Sequence, residues 1–370
     1  MSNKKLAIIG ASTGQYELCL KAHELGIETH CFAYEKGAIC KDIVDHFYPI
    51  SIYECDQIVS ICRELGIDGV LSNASDKTSE VVSYVAEHLN LTAPPLEVLR
   101  SLHDKYHVRS LTDKVEGLLS PRFYRYEGVD EGLYPCVVKP CVGGGKRGVS
   151  FVSNASEFAE AIAYANPESQ DTVEILVEEY VTGKELSIEC LSYRGHHYVI
   201  QITDKDSSSA PHFVELGHHQ PAEISTELQS KIHRVIPQLL DALGYDNGAS
   251  HIEVKYKDSD LYLIEANLRG GGDHISNKLV YMSSGIDYLK CMIDVALDDF
   301  SAPQQTAPTH YAGIYYLCAQ TADLLPFFQA AKGKEWVKEL EIYSTELQES
   351  HSNYERNGYL LYQSGHKIIP

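Results

Sequence analysis

Apolar positions along the chain fall into two recurring patterns, short unbroken runs and longer stretches of helical spacing. KLAIIG at 5–10 is an apolar run ending in glycine, the signature of a parallel strand covered on both faces. Residues 16–25 space their apolar side chains helically and meet Gly26 as a C-cap, and 27–34 reads as a second strand. The unit then recurs, with a helix over 56–65 closed by Gly66, a strand at 69–72 and a helix over 80–89. Such alternation with short glycine-marked joints predicts a doubly wound α/β domain over residues 1–97, bounded by Pro94-Pro95.

Beyond that boundary the pattern changes. Residues 98–183 predict a small α+β lobe. It opens with one helix over 96–113, followed by strand-like PRFYRYE and CVVKP, the loop CVGGGKRG, strand VSFV, helix SEFAEAIAYA and strand EILVEEYV. Residues 184–300 hold longer alternating stretches, ELSIECLS, HHYVIQIT, HFVELGHHQ, SHIEVKY and DLYLIEAN, with helices over 227–243 and 287–296, and predict a large β-rich lobe. The remainder, 301–370, alternates in HYAGIYYLCA and NGYLLYQSGHK and predicts a mainly β segment packed on that lobe.

Charge narrows the partners. Among 370 residues, 31 Lys and Arg stand against 52 Asp and Glu, a formal charge of −21. A field of that sign disfavours nucleic acid and anionic membranes as partners. Lys146-Arg147, the longest basic cluster, sits inside a glycine run and suits a small phosphate ligand instead. No stretch approaches the ~18 apolar residues of a membrane span, and the first residues lack a signal-type apolar region. The ten cysteines contain no CxxC pair and lie in apolar or helical segments, which points to a reducing, cytoplasmic setting.

Four stretches carry candidate chemistry. Gly10 to Gly14 follows the first strand with GxxxG spacing, not the GxGxxG of a dinucleotide fingerprint, so a tight βα turn is preferred over a nicotinamide or flavin site. Lys139, at the end of VVKP, precedes Gly143, Gly144, Gly145 and Gly148. Glycine backbone can approach phosphate oxygens closely while the lysine adds a point charge, and the strand that follows makes this a hairpin lid instead of a Walker loop. Glu178-Glu179-Tyr180-Val181 is a strand end whose carboxylate and backbone suit an adenine edge, with Glu185 placed for ribose hydroxyls. Last, HIEVK and LIEANLR are two strands joined by KDSD. Alternation puts Glu253 in line with His251 and Lys255, and Glu265 in line with Asn267 and Arg269. Two carboxylates and an amide oxygen are hard ligands suited to Mg²⁺, and Arg269 beside them can steady a phosphoryl group. A carboxylate in so apolar a strand would be costly if it had no partner.

In order and spacing these four motifs resemble the ATP-grasp superfamily of carboxylate–amine ligases, close to its biotin carboxylase, glycinamide ribonucleotide synthetase and L-amino-acid ligase branch. The resemblance covers nearly the whole chain and implies three lobes: an N-terminal doubly wound α/β lobe, a small lid lobe and a large β-rich lobe. It implies that Lys105 and Lys139 hold the ATP phosphates, that Glu178, Tyr180 and Val181 surround adenine, and that Glu185 meets the ribose. Glu253, Glu265 and Asn267 would hold Mg²⁺, with Mn²⁺ as an alternative, and Arg269 and Lys139 would serve catalysis. The glycines of 143–148 would close over the triphosphate. Substrate would meet Lys205, His218, Arg269 and Gly271. The implied reaction joins a carboxylate to an amine through an acyl-phosphate, releasing ADP, with an amino acid as at least one substrate; related ligases commonly dimerise.

Residues 203–205 and 212–221 match the family's substrate-facing strands more loosely. His218 and His219 read there as cleft-facing or half-exposed residues, because no further ligand has the spacing for a metal site. Cys141 beside the lid reads as a bystander thiol. Two competing functions remain: ligation of another small carboxylate or a phosphoribosyl amine, and a nucleotide-binding sensor that does not turn over. A Rossmann oxidoreductase on residues 1–97 is disfavoured by the missing fingerprint.

Overall fold

In a computed structural model of the chain, residues 4–73, 75–143, 148–166, 173–208, 210, 213–303 and 310–370 are described. The first lobe is a parallel sheet of β1 (Lys5–Ile9), β2 (Glu28–Phe32), β3 (His46–Tyr48) and β4 (Gly69–Leu71), in the order β3-β2-β1-β4. Alternate residues of β1 serve opposite faces. Leu6 and Ile8 pack with α1 (Thr13–Glu24), while Ala7 and Ile9 pack with α2 (Cys55–Leu65) and α3 (Asp76–Leu89). Covering both faces is what makes β1 continuously apolar, and the lobe is doubly wound as the pattern predicts. Two features escape that pattern. The three residues of β3 are too few to show alternation, and the polar first turn of α3, Asp76-Lys77-Thr78-Ser79 behind Ser75, carries no apolar mark.

The helix predicted over 96–113 is two helices, α4 (Leu96–Leu102) and α5 (Lys105–Thr112). The Asp104 side chain accepts the Tyr106 backbone N–H at 2.9 Å and starts the second helix. This break points Lys105 and Arg109, one turn apart on α5, toward the strands that follow.

The small lobe is an antiparallel sheet of β5 (Phe123–Arg125), β6 (Cys136–Pro140), β7 (Ser150–Val152) and β8 (Ile175–Glu179), ordered β5-β8-β6-β7. Helix α6 (Ala155–Ala165) seals it through Phe158, Ala161 and Ala165. The glycine loop joins β6 to β7. Gly143 and Gly148 are among the described residues, and Gly144 and Gly145 lie outside them.

The large lobe carries β9 (Lys184–Tyr193), β10 (His196–Ser207), β11 (Glu215–Gln220), β12 (Gly248–Lys257) and β13 (Asp260–Asn267). On one face lies α7 (Thr226–Leu243), whose Leu228, Ile232, Val235, Ile236 and Leu239 repeat at helical spacing and pack on Ile188, Ile252 and Leu263. After a π-helical turn at Ile275–Leu279 come α8 (Val280–Ser284) and α9 (Tyr288–Ala296). Tyr288 and Ile293 of α9 join Leu18 of α1 and Leu191 of β9 in one cluster, so the first and large lobes share a core.

Residues 301–370 supply β14 (Tyr311–Leu317), a helix α10 (Leu325–Ala331), β15 (Val337–Ile342) and β16 (Gly358–Ser364). These strands pair edge to edge with β11, giving one eight-stranded sheet ordered β13-β12-β9-β10-β11-β14-β16-β15. Hydrogen bonding therefore crosses position 300 without interruption. Among the described residues, no helix is long and apolar enough to cross a membrane. All ten cysteines are free, and Cys141 is buried.

Candidate active site

The small lobe contributes a buried charge cluster. Lys139 ends β6, Glu178 lies on the neighbouring β8, and Arg109 reaches in from α5. The Glu178 carboxylate accepts from Arg109 Nε at 3.0 Å and from the Lys139 ammonium. Burial by itself would raise the Glu178 pKa, but the two cations overrule it and hold it down at about 2. Burial lowers the Lys139 pKa, aided by Arg109 and Lys105 and opposed by Glu178. One carboxylate between two cations leaves an excess positive charge in a dry site, which an anionic phosphate would complete. Arg109 also donates to the Ile264 carbonyl on β13 at 2.5 Å, tying this cluster to the large sheet.

Facing it is the hairpin of β12 and β13. Its register places Glu253 opposite Glu265 and His251 opposite Asn267, so all four side chains share one face. Asn267 Nδ2 donates to Glu265 Oε2 at 3.3 Å. The buried Lys205 ammonium lies 3.0 Å from Glu253, 3.2 Å from Glu215 and 3.5 Å from Glu185. Its burial would lower its pKa, yet these three carboxylates drive it well above the usual lysine value. Glu253 is held well below the usual carboxylate range, because Lys205 and His251 outweigh its burial. His251 donates to Glu189 and lies 3.2 Å from Glu253; those carboxylates outweigh its burial and push its pKa up to about 9. Two carboxylates and an amide oxygen on one face form a hard oxygen donor set, which fits Mg²⁺.

Lys105 joins the two halves. Its ammonium donates to the Gly143 carbonyl at the start of the lid at 2.5 Å and lies 3.4 Å from Glu265 Oε1. On the flank expected to meet adenine, Lys255 donates to the Val181 carbonyl at 3.2 Å. The same ammonium lies 5.1 Å above the Tyr180 ring and 3.9 Å from Glu185. The Glu178 side chain is turned into the cation cluster, so its carboxylate is engaged by Arg109 and Lys139.

Arg269 follows β13 and pairs with Asp76, the first residue of α3, with Nε 2.8 Å from Oδ1. The first lobe therefore reaches the same cleft. Gly271 donates its N–H to Glu189 Oε2 at 3.0 Å, and a Cβ there would lie 2.6 Å from both Glu189 Oε1 and His251 Nδ1, so the close approach requires glycine. His218 Nε2 lies 3.3 Å from Glu215 and 3.7 Å from Asp273, which Arg356 grips through two hydrogen bonds of 2.8 and 2.9 Å. The expectation of half-exposed histidines is corrected: His218 is 0% and His219 2% exposed, because both faces of β11 are covered there, His218 lying against the Tyr316 ring and His219 against the Tyr315 ring. His219 turns away from His218, toward Tyr362 at 3.1 Å and Asp206 at 3.2 Å.

Sequence reasoning passed over Arg109, Asp76 and Glu189. Arg109 had a signal, its place one helical turn after Lys105. Asp76 and Glu189 had none, since nothing local to either indicates Arg269 or Gly271 as a partner.

Known proteins resemble this chain in sequence and in fold. Residues 133–278 match the model of the ATP-grasp domain family. A formate-dependent phosphoribosylglycinamide formyltransferase from Corynebacterium jeikeium is 24% identical over 288 residues, covering 72% of this chain and 68% of that protein. Of the next two curated relatives the chain spans only 39% and 50%. An L-amino acid ligase from Bacillus licheniformis superposes with a TM-score of 0.81 at 24% identity, over 99% of this chain and 95% of that one. A phosphoribosylglycinamide synthetase from Anaerococcus prevotii gives 0.76 at 18% identity, with the same coverage of 99% and 95%.

Proposed function

We propose that this chain, which belongs to the ATP-grasp family, is an ADP-forming carboxylate–amine ligase. The observation that carries the reading is Lys105, whose one ammonium contacts both the lid carbonyl of Gly143 and the carboxylate of Glu265. A triphosphate laid against Lys105 and Lys139 would find the Glu253, Glu265 and Asn267 donor set at its side. Mg²⁺ held there, or Mn²⁺ in its place, would neutralise charge on the phosphoryl oxygens.

The chain's own groups would do the positioning. Lys105 and the excess charge of the Arg109–Glu178–Lys139 cluster orient the phosphates, and the glycine loop excludes water. Val181 and Tyr180 border the base, and Glu185 the ribose. Arg269 would leave Asp76 to hold the acyl-phosphate formed when a substrate carboxylate attacks the terminal phosphate of ATP. An amine then displaces phosphate to give the amide. Such chemistry rests on charge placement and orientation and needs no protein nucleophile.

An amino acid is our choice for at least one substrate. Supporting it are the likeness to the L-amino acid ligase and the mixed-charge wall of Lys205, Glu215, His218, Asp273 and Arg356 near Gly271, suited to a zwitterion. A phosphoribosyl amine is the second reading, favoured by the formyltransferase and synthetase similarities. We place the protein in the cytoplasm, in keeping with ten unpaired cysteines.

The test is ADP release from MgATP with pooled amino acids and, separately, pooled small carboxylates and phosphoribosyl amines, with Glu265→Gln as the blank. Release confined to one pool and reduced more than about a hundredfold in the variant supports the ligase and names its substrate class. Equal release by Glu265→Gln refutes the metal assignment. No release from any pool, with MgATP still raising the melting temperature, favours the sensor.

A further inference from the structure

On the first lobe, remote in sequence from the residues assigned above, β2 and β3 place three metal-ligating side chains on one face. Glu28 and His30 are two residues apart on β2, and His46 on β3 is the direct cross-strand partner of His30. Glu28 Oε1 lies 3.1 Å from His30 Nε2 and 3.4 Å from His46 Nε2, and one ligand atom from each of the three falls within 4.8 Å of the others. A tetrahedral ion with bonds of about 2.0–2.1 Å holds its ligand atoms about 3.3–3.4 Å apart. The 3.4 Å separation of Glu28 from His46 matches such a coordination edge and exceeds a usual N–H···O contact, while at 3.1 Å Glu28 and His30 are also within hydrogen-bond distance.

The surroundings suit a metal as well. His30 is buried, and its other ring nitrogen, Nδ1, is 3.1 Å from Tyr48 Oη, the outer partner that orients a ligating imidazole. Its ring stacks on that of His46 at 4.7 Å. His46 is exposed, so one side of the cluster stays open to an entering ion and to water as a further ligand.

We propose that Glu28, His30 and His46 form a second metal site that takes a borderline transition-metal dication, Zn²⁺ foremost. Two imidazoles and one carboxylate select such an ion over Mg²⁺, which prefers an all-oxygen shell. The ion would clamp the three-residue edge strand β3 to β2, where the sheet has only His46–Tyr48 to hold it.

The experiment uses tag-free full-length protein, stripped with chelator and held in saturating Mg²⁺. Zn²⁺ is titrated calorimetrically, and Co²⁺ is followed by its visible absorption. One equivalent of Zn²⁺ is expected, with a nitrogen- and oxygen-type Co²⁺ spectrum lacking thiolate bands. His46→Ala, at an exposed position the fold tolerates, and Glu28→Gln should each weaken binding more than about a hundredfold, beyond what losing an outer partner does. Glu265→Gln should leave it unchanged. Binding that survives His46→Ala, that disappears in Glu265→Gln, or that is absent from the parent protein overturns the site. The readout is binding, so it stands apart from whether the ligase reading holds.

Discussion

Glu178→Gln isolates the buried cluster that orients phosphate. In the folded protein this carboxylate has its pKa held at about 2, against an ordinary value of 4.5, because the attraction of Arg109 and Lys139 exceeds the penalty of burial. That difference corresponds to about 3 kcal/mol favouring the charged carboxylate in the fold. The neutral amide forfeits it and leaves two cations unbalanced, and breaking a buried pair from one side destabilises by ~3–5 kcal/mol. Urea unfolding at pH 7, without nucleotide, should therefore show Glu178→Gln less stable by about that amount. The pH dependence has a definite sign. A depressed carboxylate contributes in full above its unfolded pKa and loses the contribution as pH falls toward 2. The parent should thus lose stability below about pH 5 more steeply than the variant. Adding Arg109→Met to Glu178→Gln removes one stranded cation and should recover at least ~1 kcal/mol in a double-mutant cycle. A Glu178→Gln protein within 1 kcal/mol of the parent, or a double variant in which the two losses simply add, would refute the reasoning.

Lys139→Ala removes one charge-assisted contact to phosphate, and its expected effect is ATP binding weakened roughly tenfold to a hundredfold by calorimetry; unchanged affinity would mean the phosphates lie elsewhere. His251 titrates in the opposite sense to Glu178. Its pKa is raised from 6.5 to about 9, so its contribution is complete below pH 6.5 and fades as pH climbs through 9, by about 3 kcal/mol in the metal-free protein. His251→Gln should flatten unfolding stability over that interval, and a profile matching the parent would count against the pairing with Glu189. Gly313→Ala puts a methyl group into His219 Nδ1 and within 2.6 Å of the Tyr362 ring, at the seam where 301–370 joins the sheet. A loss of ~1–3 kcal/mol in urea is expected, and a variant as stable as the parent would mean β11 and β14 pack less tightly there than the structure has them.

Much of this protein was determined by its sequence alone, because side-chain periodicity reports which face of an element is covered. Continuous apolar runs marked β1 as a doubly covered parallel strand, and alternation in HIEVK and LIEAN put Glu253 in line with His251 and Glu265 in line with Asn267; the bulge between Glu253 and Val254, which the pattern does not show, is what brings the two glutamates opposite each other. Boundaries were legible only where apolar residues reached them. The polar start of α3, three-residue β3 and the Asp104 break between α4 and α5 carried no such mark. What the tertiary structure decided is which distant groups meet. Periodicity gives a side chain its face but not the partner that a second layer brings to it. Arg109 reaches Glu178 because α5 packs beside β5, which pairs with β8. Asp76 reaches Arg269, 193 positions away in sequence, because α9 packs the first lobe onto the large one. Glu189 and His251 meet only because β9 and β12 pair in that register. Burial of His218 and His219 follows from β14 joining β11, so their surroundings belong to residues almost a hundred positions away in sequence. A carboxylate, a guanidinium or an imidazole takes its charge state and its role from that company, and the company exists only once the layers close.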